Sequence, residues 1–332
     1  MTAMTMAGAL NAGLRRALTD DEKVVLMGED IGRLGGVYRV TDGLQAEFGE
    51  RRVMDTPLAE SGILGTAVGL AYAGYRPVVE IQFDGFVYPA FDQIVSQVAK
   101  MHARTGGRVR LPITIRIPVG GGIGAAEHHS ESPEAYFAHT AGLRVVSVAT
   151  PQDACTVLRQ AIASDDPVVF FEPKRRYHVK GEVDDALALD AALPLGEARV
   201  AREGDQVTLI AWGGMTGVAL DAAEAAADEG VSIEVIDLRS LSPVDYDTVT
   251  ASVRRTGRVV IAQEGPREAG IASEIAAVVT ERCFAFLEHA PVRVTGHDVP
   301  YPPAKLEKHH LPDLDRLLYG VDQVLDRAGV NA

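Results

Sequence analysis

A carboxylate at the start of an apolar segment is the first group in this chain that could do chemistry. Glu60 stands in DTPLAESG and begins a run of small residues, SGILGTAVGLAYAG, that lets a ligand or another backbone approach closely. A carboxylate that faces such a pocket can act as a general acid or base. The plainer alternative is an acidic residue near a helix N-terminus, where the helix dipole stabilises it by about 0.3–1 kcal/mol.

Two adjacent histidines form the second group. His128 and His129 precede Ser132 and Pro133, which are typical of the N-cap and the first position of a helix. Imidazole can donate or accept a proton near pH 7. Because adjacent side chains diverge in direction, a pair of metal ligands is disfavoured, and a surface loop is the simpler interpretation.

Aromatic residues cluster in QFDGFVYPAFDQ, directly after a predicted strand. They are typical of a core, but Phe86 could also offer a flat wall for an aromatic ligand, a contact worth about 0.5–1.5 kcal/mol beyond burial. The glycine run 120–125 (GGGIGA) loosely matches a dinucleotide-binding motif. No helix follows it at once and no suitable acidic residue stands about 20 positions on. We therefore interpret it as a loop whose glycines allow close backbone approach.

The elements that must position these groups alternate between short Val/Ile-rich runs and segments with helical spacing. This alternation predicts an α/β fold with two doubly wound domains built on parallel sheets. The predicted strands are 23–27, 77–81, 112–117, 143–148, 167–171, 206–212, 232–237, 258–262 and 291–295. The predicted helices are 59–75, 88–104, 133–139, 151–164, 217–229, 244–255, 269–287 and 314–328. A charged, irregular linker at 181–196 would separate domains at 1–180 and 197–332.

Composition narrows the class of protein. The 32 Lys and Arg against 46 Asp and Glu leave a net charge of −14, which disfavours nucleic acid or an anionic membrane as a partner and favours a basic one. Two cysteines far apart suit a reducing compartment, and no leader or membrane-spanning segment is evident, so we predict a cytoplasmic protein. Phosphate-loop, nucleophile-elbow, zincin and calcium-loop motifs are absent from the sequence.

Taken together, the segments resemble one family. PLAESGILGTAVGLAYAGYRPVVEIQFDGFVYPAFDQIVSQVAK, HHSESPEAYFAHTAGLRVVSVATPQDA and PVVFFEPKRRY are similar to the beta subunit of the thiamine-diphosphate-dependent 2-oxo acid dehydrogenases. These proteins form the decarboxylating first component of multienzyme complexes. EVIDLRSLSPVDYD and RVTGHDVPYP extend the resemblance into the second half. It implies a pyrimidine-binding domain followed by a domain like the C-terminal domain of transketolase.

The resemblance implies a role for individual residues. Glu60 would bond the aminopyrimidine ring nitrogen of thiamine diphosphate and favour its imino tautomer, Phe86 would stack on that ring, and His129 falls on the catalytic position. Gln82 would line the same cleft, and Glu29 would lie in a polar tunnel that links paired active sites. A monovalent cation such as K⁺ would bind, mainly through backbone carbonyls, at Ile113, Ala161, Ile162, Ser164 and Asp166. Ser164 replaces the acidic residue that is usual there.

The family holds the diphosphate and Mg²⁺ with a GDG motif and a downstream Asn pair, and this chain contains no GDG. The resemblance therefore implies that a separate alpha subunit holds the diphosphate and Mg²⁺. The expected assembly is an alpha-two beta-two heterotetramer that shares each cofactor between two chains. The second domain would bind the small subunit-binding domain of a dihydrolipoyl acyltransferase core, for which the negative charge suits a basic partner.

The implied activity is that of an oxidoreductase, which decarboxylates a 2-oxo acid and transfers the acyl group to lipoyl. HHSESPEAYFAHTAGLRVV and QFDGFVYPAFDQ look closer to the branched-chain members, whereas VTGHDVPYPPAKLE is similar to the pyruvate members. A branched-chain 2-oxo acid is the leading substrate, and a pyruvate or acetoin dehydrogenase is the alternative. A non-catalytic scaffold paralogue is a more distant one. Transketolases share the fold and cofactor but carry both halves on a longer chain.

Overall fold

The computed structural model describes residues 1–327, which form two compact units. The first unit comprises residues 1–119 and 136–195. The second begins with residues 120–135 and resumes at Gly196. The domain boundaries expected from the sequence stay a prediction, since compact units and family domains are defined by different criteria.

The first unit is built on a parallel sheet. Its strands are β1 (Thr2–Thr5), β2 (Val24–Gly28), β3 (Val53–Asp55), β4 (Arg76–Glu80), β5 (Thr114–Val119), β6 (Arg144–Ser147), β7 (Val168–Pro173) and β8 (Lys180–Val183). Six of them pair in parallel in the order β6-β7-β5-β4-β2-β3, and β1 pairs with β8 in a separate antiparallel ribbon. The central strands are apolar and almost wholly buried, as a sheet covered on both faces requires. The five strands predicted for this half are confirmed.

The helices of this half are α1 (Met6–Asp20), α2 (Leu44–Phe48), α3 (Glu60–Tyr72), α4 (Met101–Arg104), α5 (Glu134–Ala138) and α6 (Pro151–Ala163). Helix α1, which was not predicted from the sequence, packs against α6. Gly13 allows this contact, because a Cβ there would stand 3.0 Å from the carbonyl oxygen of Cys155.

The prediction of one continuous helix at 88–104 was wrong. The structure has a 3₁₀ segment at Asp84–Ala90, a π-helical turn at Gln93–Val98 and only then the short helix α4. Pro89 lies inside the 3₁₀ segment, where it cannot donate a backbone hydrogen bond. The apolar spacing of this segment is helical, but its backbone is not regular.

The second unit is a mixed sheet flanked by helices. Its strands are β9 (Arg199–Arg202), β10 (Val207–Ala211), β11 (Ile233–Asp237), β12 (Ser240–Ser242), β13 (Val259–Pro266) and β14 (Val292–Gly296). Its helices are α7 (Gly214–Asp228), α8 (Tyr246–Thr256), α9 (Ile271–Cys283), α10 (Glu307–His310) and α11 (Leu314–Val324). Five of these strands, without β12, form the sheet in the order β14-β13-β10-β11-β9, with only β9 antiparallel. The predicted closing helix ends at Val324, and its expected end at Ala328 lies outside the described residues.

The predicted α/β class is therefore confirmed for both units. The longest helices, α1 and α7, have 15 residues each. Within residues 1–327, no helix has the length and apolar character needed to cross a bilayer.

Candidate active site

Three of the predicted site residues lie at one edge of the first unit's sheet. Glu29 directly follows β2, Glu60 opens α3 shortly after β3, and Gln82 lies two residues after β4. Since β2 pairs in parallel with both β3 and β4, the carboxyl ends of these strands meet at the same edge. Open parallel sheets bind ligands outside this edge.

Two acidic side chains are buried together there. Glu60 is 8% exposed and Glu29 is 7% exposed. Oε1 of Glu29 is buried without a hydrogen-bond partner. Burial, followed by the negative charge of Glu60, raises the pKa of Glu29. Natural proteins seldom leave a buried polar atom without a partner, and functional sites are a common place for one. The pair therefore suits a ligand that brings a hydrogen-bond donor.

Gln82 and the segment that carries Phe86 adjoin that pair. Nε2 of Gln82 donates to the carbonyl oxygen of Glu29 at 3.2 Å and to Oδ2 of Asp30 at 3.1 Å. Phe86 is half-buried, and its ring centroid lies 5.8 Å from that of Phe83 in an edge-to-face arrangement. The 3₁₀ segment that carries Phe86 packs against α3, the helix that Glu60 opens. The structure thus brings Glu29, Gln82 and the elements of Glu60 and Phe86 together.

We expect Glu29→Gln to raise the melting temperature of the protein at neutral pH. The raised pKa of Glu29 means that folding disfavours its ionised form, so the wild type loses stability as pH rises above the ordinary range of a carboxyl group. Glutamine carries no charge and escapes this loss. The gain should therefore shrink as pH falls, which thermal unfolding at several pH values would measure. The exposed Glu50→Gln serves as the control. Equal melting temperatures at pH 7 would contradict the expectation.

Behind this edge lies a buried ionic network that the sequence analysis missed. Arg116 of β5 donates through Nη1 to Glu80 at 2.7 Å and through Nε and Nη2 to both oxygens of Glu172 at 2.7 and 3.0 Å. The Tyr177 hydroxyl donates to Oε2 of Glu172 at 2.6 Å. Glu80, Arg116 and Glu172 lie on three adjacent strands of the sheet. They tie together β4, β5 and β7, and so help to position the residues that follow β4.

His129 lies in the second unit, in a 3₁₀ turn at Glu127–His129. Its Nδ1 is 2.8 Å from the carbonyl oxygen of His128. A carbonyl can only accept, so Nδ1 carries the proton and Nε2 is the acceptor nitrogen of the neutral ring. The two histidine rings lie 4.2 Å apart, centroid to centroid. The ring of His129 is half-buried and held in a defined tautomer, as a proton-transfer group requires.

The glycine loop, residues 120–124, leads into that turn. Its backbone N–H groups bind carboxylates of the same unit: Gly121 donates to Glu264, and Gly122 and Gly124 donate to Glu307. In a dinucleotide site a phosphate would accept hydrogen bonds from such backbone N–H groups, but here the carboxylates of Glu264 and Glu307 already accept them. This arrangement agrees with the expectation that the glycine run is not a dinucleotide-binding motif. Glu264 and Glu307 were not singled out from the sequence, because no local pattern connects them to the loop.

Three of the proposed cation ligands, Ala161, Ile162 and Ser164, lie at the end of α6. The carbonyl oxygens of Ile162 and Ser164 accept from Nη1 of Arg76 at 3.3 and 3.0 Å, and that of Ala161 accepts from the Ser164 N–H at 3.2 Å. Each carbonyl keeps a second lone pair. Oxygen donors of this kind fit a hard cation, with Arg76 as a charged neighbour that competes for them.

Comparison with known proteins assigns both halves of the chain. Residues 2–180 match the model of the transketolase pyrimidine-binding domain, and residues 196–317 match that of the transketolase C-terminal domain. A pyruvate dehydrogenase E1 component subunit beta from Leifsonia xyli is 61% identical over 97% of this chain and 95% of its own length. The chain belongs to the E1 beta-subunit family of 2-oxo acid dehydrogenases.

Further relatives show the breadth of this family. A 3-methyl-2-oxobutanoate dehydrogenase subunit beta from Mycobacterium tuberculosis is 53% identical over 97% of this chain and 92% of its own length. A solved structure named "Split gene transketolase, inactive beta4 tetramer" superposes with a TM-score of 0.79 at 25% identity, covering 98% of this chain and 99% of that one. The predicted two-domain transketolase-like fold is thereby confirmed.

For an E1 beta subunit, the cofactor is thiamine diphosphate, and the edge with Glu29 and Glu60 fits its pyrimidine half. The exocyclic amino group of an aminopyrimidine is a donor, and its ring nitrogen becomes a donor when protonated, so buried carboxylates can accept hydrogen bonds from both. The orphaned oxygen of Glu29 shows that the cleft is short of donors.

Proposed function

We propose that this chain is the beta subunit of a branched-chain 2-oxo acid dehydrogenase, which acts only together with an alpha subunit. Its reaction is the oxidative decarboxylation of a 2-oxo acid with transfer of the acyl group to lipoyl. The observation that carries the proposal is the buried Glu29 and Glu60 pair at the carboxyl edge of the sheet, within the matched pyrimidine-binding domain.

The residues of the first unit would bind and orient the cofactor. Glu60 holds the pyrimidine ring through its carboxylate and keeps a proton on the ring nitrogen. Phe86 stacks on the ring, and Gln82 and Glu29 line the polar side of the cleft. When bound, thiamine diphosphate supplies an electron sink for decarboxylation. Because Glu60 is almost fully buried, its hydrogen bond is shielded from water and is stronger than an exposed one.

His129 would move a proton during acyl transfer. With Nδ1 bonded to the carbonyl of His128, Nε2 is the nitrogen that would give a proton to the sulfur released when the lipoyl disulfide opens and its other sulfur takes the acyl group. The carbonyl partner also stabilises the imidazolium once Nε2 is protonated. His128 is more exposed than His129 and lies within 3.6 Å of the Glu127 carboxylate.

An alpha subunit would supply the groups that this chain lacks. The sequence contains no GDG motif, so we assign the diphosphate and Mg²⁺ to that partner, in an alpha-two beta-two heterotetramer. The structural neighbour named as an inactive beta-only tetramer of a split transketolase supports the same division of labour. A scaffold paralogue is not favoured, because both Glu60 and His129 are present.

The acyltransferase core would bind through its small subunit-binding domain, to the second unit of this chain. The net charge of −14 favours a basic partner and fast, salt-sensitive encounter. If the affinity for the subunit-binding domain did not change with ionic strength, this electrostatic contribution would be contradicted.

A cytoplasmic location stays a prediction from the composition.

A monovalent cation is proposed at the carbonyls of Ile113, Ala161, Ile162 and Ser164, with Asp166 beside them. We expect K⁺ to raise the melting temperature relative to choline at equal ionic strength, since a ligand that binds only the folded state stabilises it by RT ln(1 + [L]/Kd). Thermal unfolding in matched KCl and choline chloride series measures this. The same melting temperature in both salts would contradict the site.

The proposed function is tested by expressing this chain with its alpha subunit and assaying decarboxylation with an artificial electron acceptor. We expect activity only when both chains are present, with a higher kcat/KM for 2-oxoisovalerate than for pyruvate. A pocket gains about 1–3 kcal/mol per methylene, so the preference should be partial. An inactive complex with correct assembly, or full activity of this chain alone, would overturn the proposal.

Pyruvate is the second candidate substrate. The relative that is 61% identical is named a pyruvate dehydrogenase subunit, and VTGHDVPYPPAKLE is similar to the pyruvate members. A higher kcat/KM for pyruvate in the same assay would favour it and leave the mechanism unchanged.

A further inference from the structure

Three backbone N–H groups of the glycine loop donate hydrogen bonds to carboxylates that lie outside the loop. Gly122 and Gly124 donate to the two oxygens of Glu307 at 2.7 and 3.1 Å, so one carboxylate bridges both ends of a three-residue segment. Gly121, between Gly120 and Gly122, donates to Oε1 of Glu264. Hydrogen bonds to an ionised acceptor are shorter and stronger than those between neutral groups.

The glycines are required by these same contacts. A Cβ at Gly121 would lie 1.7 Å from the hydroxyl oxygen of Tyr301, and a Cβ at Gly120 would lie 2.6 Å from Oε1 of Glu264. Gly120 also has a φ of +82°, in the region that favours glycine. The run GGGIG therefore matches the shape of the groups that bind it, and a side chain at either of the first two glycines would displace the loop, Tyr301 or Glu264.

Glu307 is itself firmly positioned. It is 8% exposed, opens α10, and accepts a hydrogen bond from the Tyr301 hydroxyl at 2.7 Å. Burial and the neighbouring Glu307 raise the pKa of Tyr301, so its hydroxyl stays protonated and remains a donor. The Tyr301 ring packs edge-on against His310, with centroids 5.0 Å apart. Glu264 comes from β13, so the loop is tied to a central strand of the sheet as well.

The histidine turn lies between two fixed points. On one side the Gly124 N–H donates to Glu307, and on the other the Gly120 N–H donates to the carbonyl of Glu131 at 2.8 Å. His129 lies in the short segment between Gly124 and Glu131. We propose that Glu264 and Glu307, here called the carboxylate clamp, are positioning residues that hold His129 in place for acyl transfer. This inference rests on the proposed role of His129.

The test compares two reactions of the assembled heterotetramer loaded with thiamine diphosphate and Mg²⁺. Glu307→Gln keeps the shape of the side chain, but its amide nitrogen cannot accept the Gly124 N–H. We expect kcat for acylation of a lipoyl domain to fall roughly 10- to 100-fold, the loss expected from a small misplacement of a reacting group. Decarboxylation with an artificial acceptor should change little. Glu264→Gln should act in the same direction, and the exposed Glu268→Gln is the matched control.

A double-mutant cycle separates positioning through His129 from a general structural role. In a His129→Ala background, Glu307→Gln should cause no further loss of lipoyl acylation. Equal losses in both reactions, or the full loss persisting without His129, would overturn the clamp. Amide hydrogen exchange at residues 121–124 adds a readout independent of turnover. Faster exchange in Glu307→Gln supports the clamp, and unchanged exchange contradicts it.

Failure of the clamp and failure of the proposed function give different results. A wild-type complex that decarboxylates neither 2-oxo acid would overturn the proposed function. If the wild-type complex is active and Glu307→Gln acylates lipoyl at the wild-type rate, only the clamp is wrong. If His129→Ala alone acylates normally, the role of His129 is wrong and the clamp cannot act through it.

Discussion

Glu60→Gln is expected to lower kcat of the heterotetramer by about 100- to 10,000-fold, the usual contribution of a group that controls proton transfer. Glutamine fills the same space at the start of α3, but it cannot hold a proton on the pyrimidine nitrogen as a carboxylate does. Because Glu60 is 8% exposed, water cannot replace the missing charge. The artificial-acceptor assay with 2-oxoisovalerate measures the loss.

Two controls define this result. The exposed Glu50→Gln should behave as wild type, and gel filtration should show that Glu60→Gln still assembles with the alpha subunit. A weakened affinity for thiamine diphosphate with kcat unchanged would mean that Glu60 only binds the cofactor. Wild-type turnover by an assembled Glu60→Gln complex would remove the mechanism proposed for this residue.

Arg116→Met is expected to destabilise the first unit by about 3–5 kcal/mol, because removing one partner of a buried ion pair leaves an uncompensated buried charge. Arg116 is 2% exposed and is hydrogen-bonded to both Glu80 and Glu172. Methionine has a similar volume, so the loss reports on charge more than on packing. Denaturant unfolding followed by circular dichroism measures it, with the exposed Arg108→Met as control.

The pH dependence of this variant follows from the same charges. Burial already raises the pKa of Glu80, and Arg116 opposes that rise. Without Arg116 the pKa of Glu80 rises further, so the variant loses stability as pH increases above the ordinary carboxyl range. The difference from wild type should therefore narrow at acidic pH, where protonation removes the buried charge. A loss that is constant across pH would indicate altered packing instead.

Much of the architecture could be predicted from local sequence. Val/Ile-rich runs such as 167–171 become buried parallel strands because only a sheet covered on both faces suits a continuous apolar run. The pattern around Glu60 also predicts its position, since the apolar spacing begins where α3 begins. At 88–104 the helix prediction was wrong. Helical apolar spacing does not distinguish a regular α-helix from the 3₁₀ segment that contains Pro89 and the π-helical turn that follows.

By itself, the sequence determined the α/β class, the order of the main buried strands along the chain, and the residue types available for chemistry. Only the tertiary structure decided which of those residues meet. The clamp joins Gly121 to Glu264 across 143 positions and Gly122 to Glu307 across 185, and Arg116 meets Glu172 across 56. No local periodicity encodes such pairs, because they form only when distant elements are placed side by side by the packing of the sheets. The raised pKa of Glu29 has the same origin, since both its burial and the nearby charge of Glu60 depend on the assembled sheet edge.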